Sequence, residues 1–382
     1  MSRTSKKKAQ KKRRLIVMAV FLVIAIVGAL VFFKYFKKSP VFVENPGTGY
    51  TDKKVYPGQD EREEKSDYIQ KVPTEAPTPA KEELSAIAEK EPLPEDMEEL
   101  VTPDNEGYLE VHFIDVGQGD AVLIKYVDTD ITDGDESAAM LVDAGDVTKG
   151  TLVRNYLKKQ GVDALDYFVC THNDADHIGG AASVVSNVPI ESEIIWGNGL
   201  KKDTKTYDNL VSEIETKWYS YEKPNMFEEY SLGRAYFIFL APDIEHGDEN
   251  NSSLVLKLWY DDTSFLLTGD ASEEEELEMI NGDAASFLSA DVLKIGHHGS
   301  KYSTSDDFLA LVSPKYAVIS CGVGNSYGHP HQEVMNKIRS YGCDMFRTDA
   351  QGSIIATSDG ENITWSTPAC DVWGYIEEKT KL

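Results

Sequence analysis

The stretch from Thr171 to Gly180, with the sequence THNDADHIGG, constrains this chain more than any other. It places two imidazoles and two carboxylates within six residues. His and Asp side chains are ligands of Zn²⁺ and related divalent ions. A polar surface loop without a metal seldom gathers four such groups beside two glycines, so the stretch predicts a metal site.

This motif stands between a predicted strand and a predicted helix. The apolar run Leu165–Cys170 is typical of a short buried strand, and Gly179–Asn187 has helical spacing. Strands and helices alternate in this way from Tyr108 to Ser366, and other polar motifs also follow strands. The order predicts two sheets covered by helices, with the site along one edge.

The first 38 residues differ in charge from the rest of the chain. They contain eleven Lys and Arg residues and no acid, whereas residues 39–382 contain 27 basic and 65 acidic residues, a balance of −38. Leu15–Phe33 is a run of 19 uncharged residues, close to the ~20 that a membrane-spanning helix needs. Eight basic residues precede this run and three follow it, which predicts a cytoplasmic N-terminus and an extracellular body.

A cleavable signal peptide is the alternative to this single-pass signal anchor. Its apolar core is typically only ~7–15 residues long and is followed by small residues at a cleavage site. Bulky and basic residues follow the run here, in Phe32–Lys38. We therefore predict a protein of the cell membrane, held by one helix.

A long acidic segment separates the anchor from the first predicted strand. Residues 39–107 carry nine of the fifteen prolines, a composition that favours a disordered tether with a short helix at residues 81–90. The predicted organisation is a basic cytoplasmic tail at 1–14, a transmembrane anchor at 15–33, an acidic Pro-rich linker at 34–107, a folded domain at 108–368 and a C-terminal tail at 369–382.

Three motifs carry a resemblance to a known family: Phe113–Asp120, Thr171–Gly180 and Leu293–Ser300. With them, the chain from Tyr108 to about Ser366 resembles the metallo-β-lactamase fold. Within that superfamily it is most similar to the metallohydrolase domain of ComEC-like competence (DNA-uptake) proteins. The resemblance implies an αββα sandwich and a hydrolase that uses a metal-activated water.

The resemblance also implies a ligand set for two divalent ions. Asp270 matches the bridging carboxylate, and His298 is an alternative to His297, either as ligand or as substrate contact. The implied metal ligands are His172, Asp174, Asp176, His177, Asp270 and His297.

Asp174 departs from the superfamily pattern His-x-His-x-Asp-His, which has an imidazole at this position. A carboxylate is a harder ligand, so Mn²⁺ or Mg²⁺ becomes plausible beside Zn²⁺. The additional His that the family contributes to the first ion has no convincing counterpart, since His246 lies in a loop rich in Gly, Asp and Glu. Two ions, zinc or manganese, are the expectation, and operation with one ion stays open.

Further residues match supporting positions of the family. Asp143 would orient a metal ligand, as Asp115 and Asp120 would unless they only stabilise turns. Asn251 would be a weak ligand or a substrate contact. On the Gly-His-Pro-His loop, an imidazole could donate a proton or bind a phosphate oxygen. The predicted catalytic residues are therefore Asp176, His329 and His331.

The resemblance favours a phosphodiesterase or DNase that acts on nucleic acid or another phosphodiester. The acidic body opposes this, because it repels a polyanion and has only Lys201, Lys202 and Lys205 as a basic cluster. The alternatives are a hydrolase of a small-molecule or envelope-polymer ester, a lactone or a β-lactam, and a non-catalytic surface binding module. The oligomeric state stays open, as does the choice between a Cys321–Cys343 disulfide and buried free thiols.

Overall fold

The computed structural model describes residues 107–129, 137–242 and 250–377. Among these residues, no helix combines the length and the apolar character that crossing a membrane requires. Several predictions lie outside the described residues: the basic tail, the anchor at 15–33, the helix at 81–90, the linker except for its last residue, and His246.

Fifteen strands within the described residues form two sheets. They are β1 (Gly107–Phe113), β2 (Val122–Asp128), β3 (Ala138–Val142), β4 (Tyr167–Val169), β5 (Ile194–Trp196), β6 (Ser220–Glu222), β7 (Tyr230–Leu232), β8 (Ala235–Ala241), β9 (Val255–Tyr260), β10 (Thr263–Leu267), β11 (Val292–Lys294), β12 (Tyr316–Ile319), β13 (Asp344–Arg347), β14 (Ile354–Ser358) and β15 (Ile363–Trp365). The first sheet has the order β15-β14-β1-β2-β3-β4-β5-β6, and the second has the order β13-β12-β11-β10-β9-β8-β7.

Helices follow many of these strands, as the alternating pattern predicts. The α-helices are α1 (Gly150–Lys159), α2 (Ala175–Ile178), α3 (Ala181–Asn187), α4 (Lys205–Lys217), α5 (Glu273–Asn281), α6 (Asp306–Val312), α7 (Gln332–Tyr341) and α8 (Thr348–Gln351). Local sequence sets several ends: the Thr204 and Ser305 hydroxyls accept backbone N–H bonds at the starts of α4 and α6. Gly342, in the left-handed region, ends α7.

The two sheets face each other across an aromatic core. Phe113 and Tyr126 of the first sheet pack together with Phe237, Phe265 and Phe346 of the second. Helices α1, α3 and α4 cover the outer face of the first sheet, and helices α5, α6 and α7 cover that of the second. This helix–sheet–sheet–helix order confirms the predicted αββα sandwich.

Parallel strands bring the polar motifs to one edge of the sandwich. In the first sheet β3 runs parallel to β4, and in the second sheet β10, β11 and β12 are parallel. Asp143 and Thr171 follow the first pair, whereas Asp270, His298 and Ser320 follow the second set. The backbone N–H of Leu254 donates to the Thr171 carbonyl at 2.8 Å and ties the two sheets together at this edge.

The predicted helix at Gly179–Asn187 begins two residues later in the structure, and a separate short helix precedes it. Residues Ala175–Ile178 form α2, and α3 begins only at Ala181, after the two glycines. A side chain at Gly180 would lie 2.2 Å from the Ala144 carbonyl oxygen, which no Cβ tolerates. The glycines therefore allow the metal motif to pack directly on the loop that follows β3.

Two further regions differ from the expectation. The short strands β6 and β7 have no clear sequence signal, because each has only three residues and mixed polarity. The segment after residue 368, predicted as a tail, is hydrogen-bonded to the domain, with the Cys370 N–H donating to the Met345 carbonyl at 2.7 Å.

All four cysteines are free and buried.

Arg347 holds this C-terminal segment from inside the domain. Its guanidinium is fully buried and donates to both carboxylate oxygens of Asp349, at 3.0 and 2.7 Å. It also donates to the carbonyls of Val372 and Gly374, each at 2.8 Å. The geometry is bidentate and desolvated, which makes the pair sensitive to loss of one partner.

We expect Asp349→Ala to lower the free energy of unfolding by about 3–5 kcal/mol, because Arg347 would keep a buried charge without its carboxylate. Urea unfolding of both proteins measures the difference. Lys315→Ala is the matched control, since the Lys315 ammonium pairs with Asp291 at 3.0 Å but its side chain is 73 % exposed. The control should cost less than about 1 kcal/mol, and equal losses would contradict the prediction.

Candidate metal centre

Asp143 fixes the metal motif at its start. One carboxylate oxygen accepts the Thr171 N–H at 2.8 Å, and the other accepts the Thr171 hydroxyl at 2.7 Å. The second oxygen also accepts from His177 Nδ1 at 2.7 Å. All three residues are buried. The position matches the orienting role predicted for Asp143.

The loop after β11 brings in the neighbouring imidazoles. His297 and His298 both have positive φ, 49° and 56°, within a tight turn over Gly296–Gly299. This backbone sends the two side chains in different directions: His298 is buried, whereas the His297 side chain is 24 % exposed. His298 Nδ1 donates to the Ser320 carbonyl at 3.0 Å.

Four side chains converge between the two sheets, and we call them the central donor group: Asp176, His177, Asp270 and His298. His177 Nε2 lies 3.2 Å from Asp270 Oδ1 and 3.3 Å from His298 Nε2. His298 Nε2 lies 3.3 Å from Asp176 Oδ2 and 3.4 Å from Asp270 Oδ2. Ligand atoms about 2.0–2.1 Å from a tetrahedral ion are roughly 3.3 Å apart, so these separations suit a shared ion.

In His177 and His298, the hydrogen bond made by Nδ1 determines whether Nε2, which faces the central donor group, carries a proton or a lone pair. The Asp143 carboxylate and the Ser320 carbonyl can only accept, so Nδ1 of His177 and of His298 carries a proton. In the neutral tautomer, each Nε2 then presents a lone pair, and the two lone pairs face each other. A cation between them removes this repulsion, which is the arrangement of metal-binding imidazoles.

A second buried carboxylate approaches the group but has a partner already. Asp120 has an oxygen within 4.8 Å of donor atoms from His177, Asp270 and His298. Its Oδ2 lies 2.5 Å from the Lys294 ammonium, and the Lys294 side chain is 1 % exposed. Asp120 is therefore neutralised by Lys294 and supports His298, whose Nδ1 is 3.4 Å away.

The buried carboxylates of the centre favour positive charge on the groups beside them. Burial raises the pKa of Asp120, but the Lys294 ammonium and the His298 imidazole outweigh it and hold that pKa at about 2. Burial lowers the pKa of His177, but the Asp270 and Asp143 carboxylates outweigh it and raise the pKa well above its usual value. The same balance, with Asp270 and Asp120, raises the pKa of His298. A divalent cation would supply this charge in place of protons.

His172 is a further donor beside the central group. Its Nε2 is buried, lies 3.9 Å from Asp270 Oδ2 and has no hydrogen-bond partner among the described residues. Its Nδ1 lies 3.1 Å from the Thr171 hydroxyl. Burial lowers the pKa of His172, and the charge of the nearby His177 lowers it further. The Asp270 and Asp174 carboxylates act in the opposite direction but do not outweigh these two effects. This unpaired buried nitrogen also fits a metal ligand.

The other predicted residues lie around the group rather than in it. The Asp174 carboxylate pairs with the Lys202 ammonium. Asn251 Nδ2 donates to Glu274 at 3.0 Å, and its Oδ1 accepts from the Ser272 hydroxyl, so Asn251 fastens the start of α5. His297 lies at the rim, with Nε2 3.6 Å from Asp270 Oδ2. The geometry favours the alternative His298 because the turn points only that ring inward.

The Gly-His-Pro-His loop borders the rim. The His329 ring lies 5.6 Å from the His297 ring and 6.2 Å from the His298 ring, centroid to centroid. Burial lowers the pKa of His329 to about 4, and the neighbouring imidazoles add to the shift. Asn325 fixes the loop, since its side chain accepts the His329 N–H at 2.9 Å and donates to the His329 carbonyl at 2.6 Å. His331 Nδ1 accepts the Lys301 N–H at 3.1 Å.

Comparison with known proteins now bears on this fold and site. A family profile described as Metallo-beta-lactamase superfamily matches residues 114–323, more than half of the chain. The chain belongs to the metallo-beta-lactamase superfamily. It is a hydrolase of this fold, and the resemblance that the three motifs carried is confirmed.

Sequence relatives include competence proteins. The chain is 32 % identical over 255 residues to ComE operon protein 3 of Bacillus subtilis, which covers 64 % of this chain and 32 % of that protein. It is 32 % identical over 254 residues to competence protein ComA of Neisseria gonorrhoeae, covering 66 % of this chain and 32 % of that protein. The chain thus spans about a third of the length of these curated relatives.

Among solved structures, the metallo-beta-lactamase fold protein YhfI from Bacillus subtilis aligns with a TM-score of 0.41 and 12 % identity. The alignment covers 66 % of this chain and all of that one.

Sequence reasoning missed the contacts that four residues make at the site. Lys294 had a signal, because a Lys inside the apolar strand β11 must find a buried partner. Asp120 was considered only as a turn or supporting residue, and its pairing needs the fold. Asn173 and Lys202 had no distinctive pattern, and only the structure shows that Asn173 contacts Asn198 and that Lys202 pairs with Asp174.

We expect Asp143→Asn to weaken Zn²⁺ or Mn²⁺ binding by about 10–100-fold, the usual cost of losing a residue that orients a metal-binding imidazole. The new amide would place a donor against His177 Nδ1–H and turn the lone pair of this ring away from the central donor group. Metal titration of the folded protein measures the change. Asp163→Asn, at an exposed position, is the control. Unchanged affinity in Asp143→Asn would exclude the orienting role.

Proposed function

We propose that this protein is a metal-dependent phosphodiesterase anchored in the membrane and acting outside the cytoplasm, with DNA as the substrate class suggested by its relatives. The observation that carries the proposal is the central donor group, in which His298 Nε2 lies 3.3–3.4 Å from atoms of His177, Asp176 and Asp270, and His177 Nε2 lies 3.2 Å from Asp270. Membership of the metallo-beta-lactamase superfamily supports metal-dependent hydrolysis as the reaction.

Each residue of the centre has a proposed task. Asp176, His177, Asp270 and His298 hold the ion, and His172 is an additional donor. Asp143 and the Ser320 carbonyl keep the two imidazoles in the tautomer that binds. Bound there, a divalent ion supplies Lewis-acid stabilisation of negative charge and lowers the pKa of water toward neutrality.

The rim supplies donors for an anionic substrate. His331 Nδ1 is occupied as an acceptor, so neutral His331 carries its proton on Nε2 and can donate to a phosphate oxygen. His329 lies between this ring and His297, with centroids 5.0 and 5.6 Å away. These contacts favour hydrogen bonding to the leaving or non-bridging oxygens as the role of both residues.

Two lines of reasoning favour a phosphodiester. The relatives ComE operon protein 3 and competence protein ComA are competence proteins by name. The imidazole donors of the rim also suit a phosphate better than a neutral ester. The balance of −38 over residues 39–382 opposes a long polyanion, so binding depends on these local groups.

The anchor is part of the proposal. The 19 uncharged residues at 15–33 and the excess of basic residues before them support one membrane-spanning helix with a cytoplasmic N-terminus. The Pro-rich residues 34–107 would then act as a tether for a domain at 108–368. The free buried cysteines neither support nor oppose this location.

The activity test uses the full chain in detergent with Mn²⁺ or Zn²⁺. We expect cleavage of bis-p-nitrophenyl phosphate and single-stranded DNA, and loss of both activities with EDTA. Asp270→Asn should lower the rate by more than about 100-fold, since loss of a merely orienting residue already costs about 10–100-fold in such centres. Asp371→Asn, at an exposed position, should leave the rate unchanged.

Two outcomes would redirect the proposal. Hydrolysis of nitrocefin or of a lactone without cleavage of either phosphodiester would assign the site to a neutral carbonyl substrate. Metal binding without turnover of any of these substrates would favour a binding module.

The topology has its own test. Full-length protein carrying an N-terminal tag is produced in a bacterial host, and intact spheroplasts are treated with protease. We expect digestion of the domain and protection of the tag, because the basic residues 1–14 keep the N-terminus inside. Digestion of the tag in intact spheroplasts, or release of the domain without protease, would reject the anchor.

A further inference from the structure

The Asp174 carboxylate pairs with a lysine although it lies in the metal motif. It precedes α2 with extended backbone angles, φ −73° and ψ 150°, and its carbonyl accepts the N–H groups of His177 and Ile178. The backbone is therefore fixed by the helix. The carboxylate does not cap this helix but pairs with the Lys202 ammonium, with 36 % of its own side chain exposed.

The loop that carries Lys202 is fastened to the metal motif by Asn173. This residue is buried, and its amide donates to Asn198 Oδ1 at 3.1 Å and to the Leu200 carbonyl at 3.2 Å. The Tyr221 hydroxyl donates to Asn173 Oδ1 at 3.0 Å. Asn173, which stands between His172 and Asp174 in the sequence, thus holds the backbone at Leu200, two residues before Lys202. The Asp174–Lys202 pair is therefore a built contact rather than a chance meeting of surface side chains.

This contact leaves unequal donor sets for two ions. The central donor group offers Asp176, His177, Asp270 and His298. The neighbouring position has His172, whose Nε2 is buried without a partner among the described residues, a share of Asp270, and His297 at the rim, whose Nε2 lies 3.6 Å from Asp270 Oδ2. His297 is partly exposed and Asp270 is shared with the central donor group, so this position holds a second ion more weakly than the first. A free Asp174 carboxylate would strengthen this set, but the Lys202 ammonium already neutralises its charge.

We propose that Lys202 reserves Asp174 as its counter-ion, so that the centre holds one divalent ion, and that the Lys202 ammonium takes the place of the second cation toward an anionic substrate oxygen. The part that concerns the substrate rests on the proposed phosphodiesterase activity. The part that concerns the ion count does not, because it can be measured without turnover.

The first test counts ions bound by the full chain with Zn²⁺ or Mn²⁺ alone, by calorimetric titration and elemental analysis. We expect about one equivalent for the wild type and for Asp174→Asn. Lys202→Met frees the Asp174 carboxylate and should raise the count to about two. Lys202→Arg keeps a cation at this position and should stay at about one. The double variant Lys202→Met with Asp174→Asn should return to about one.

Lys201→Met is the matched control, since it removes the same charge from the neighbouring, exposed position. It should leave the count at about one, and a melting curve for each variant shows that it is folded. Two equivalents in the wild type that fall to one in Asp174→Asn would make Asp174 a ligand and overturn the proposal. A count of one in folded Lys202→Met would overturn it equally.

The second test separates anion binding from the ion count. With bis-p-nitrophenyl phosphate, the double variant Lys202→Met with Asp174→Asn, which should still bind one ion, should raise KM about 10–100-fold relative to Asp174→Asn, the usual cost of a hydrogen bond to a charged group, and Lys201→Met should change it little. Inhibition by inorganic phosphate should weaken in parallel. An unchanged KM and phosphate inhibition would reject the cationic role. If no phosphodiester is cleaved, the proposed function fails while the ion count still decides the role of Lys202.

Discussion

The Asp143 carboxylate is the contact on which the rest of the centre depends. It joins the loop after β3 to the motif after β4, accepting the Thr171 N–H and hydroxyl and the His177 ring proton within 2.8 Å. Because a carboxylate can only accept, this one side chain decides which nitrogen of His177 faces the central donor group. The Thr171 carbonyl in turn accepts a hydrogen bond from the N–H of Leu254, which directly precedes β9 of the second sheet. Thr171 therefore joins both halves of the sandwich.

The backbone at this edge is held in an unfavourable conformation at three positions that the centre uses. Asp143, His297 and His298 have φ of 59°, 49° and 56°, in the left-handed region that L-residues seldom adopt. Each such residue costs of order 1–3 kcal/mol unless its surroundings compensate. The compensation is visible, since Asp143 has three hydrogen bonds and His298 is fixed by the Ser320 carbonyl. The positive φ angles fix the directions of these side chains, which an unstrained loop would hold less precisely.

Much of the fold and part of the site followed from sequence patterns. Apolar runs such as Leu165–Cys170 predicted strands, and polar motifs after them predicted an active edge, because side-chain periodicity is a local property. Two kinds of feature escaped this reasoning. Three-residue strands of mixed polarity such as β6 have too little pattern, and the break between α2 and α3 depends on close approach of the Gly180 backbone to Ala144. The docking of the C-terminal segment depends on buried Arg347, whose partners are distant in sequence.

The sequence by itself determined the chemistry available here: two clustered imidazoles and two carboxylates in one motif, a later Asp270, and a His-His pair on a turn. It could not choose between His297 and His298, because two adjacent φ angles decide which ring points inward. It could not show that Asp120 belongs with Lys294 or Asp174 with Lys202, since charges 28 or more residues apart meet only after the sheets pair and pack. The residue types determine which potential metal ligands are present, and only the tertiary structure determines which carboxylates are already paired with a lysine.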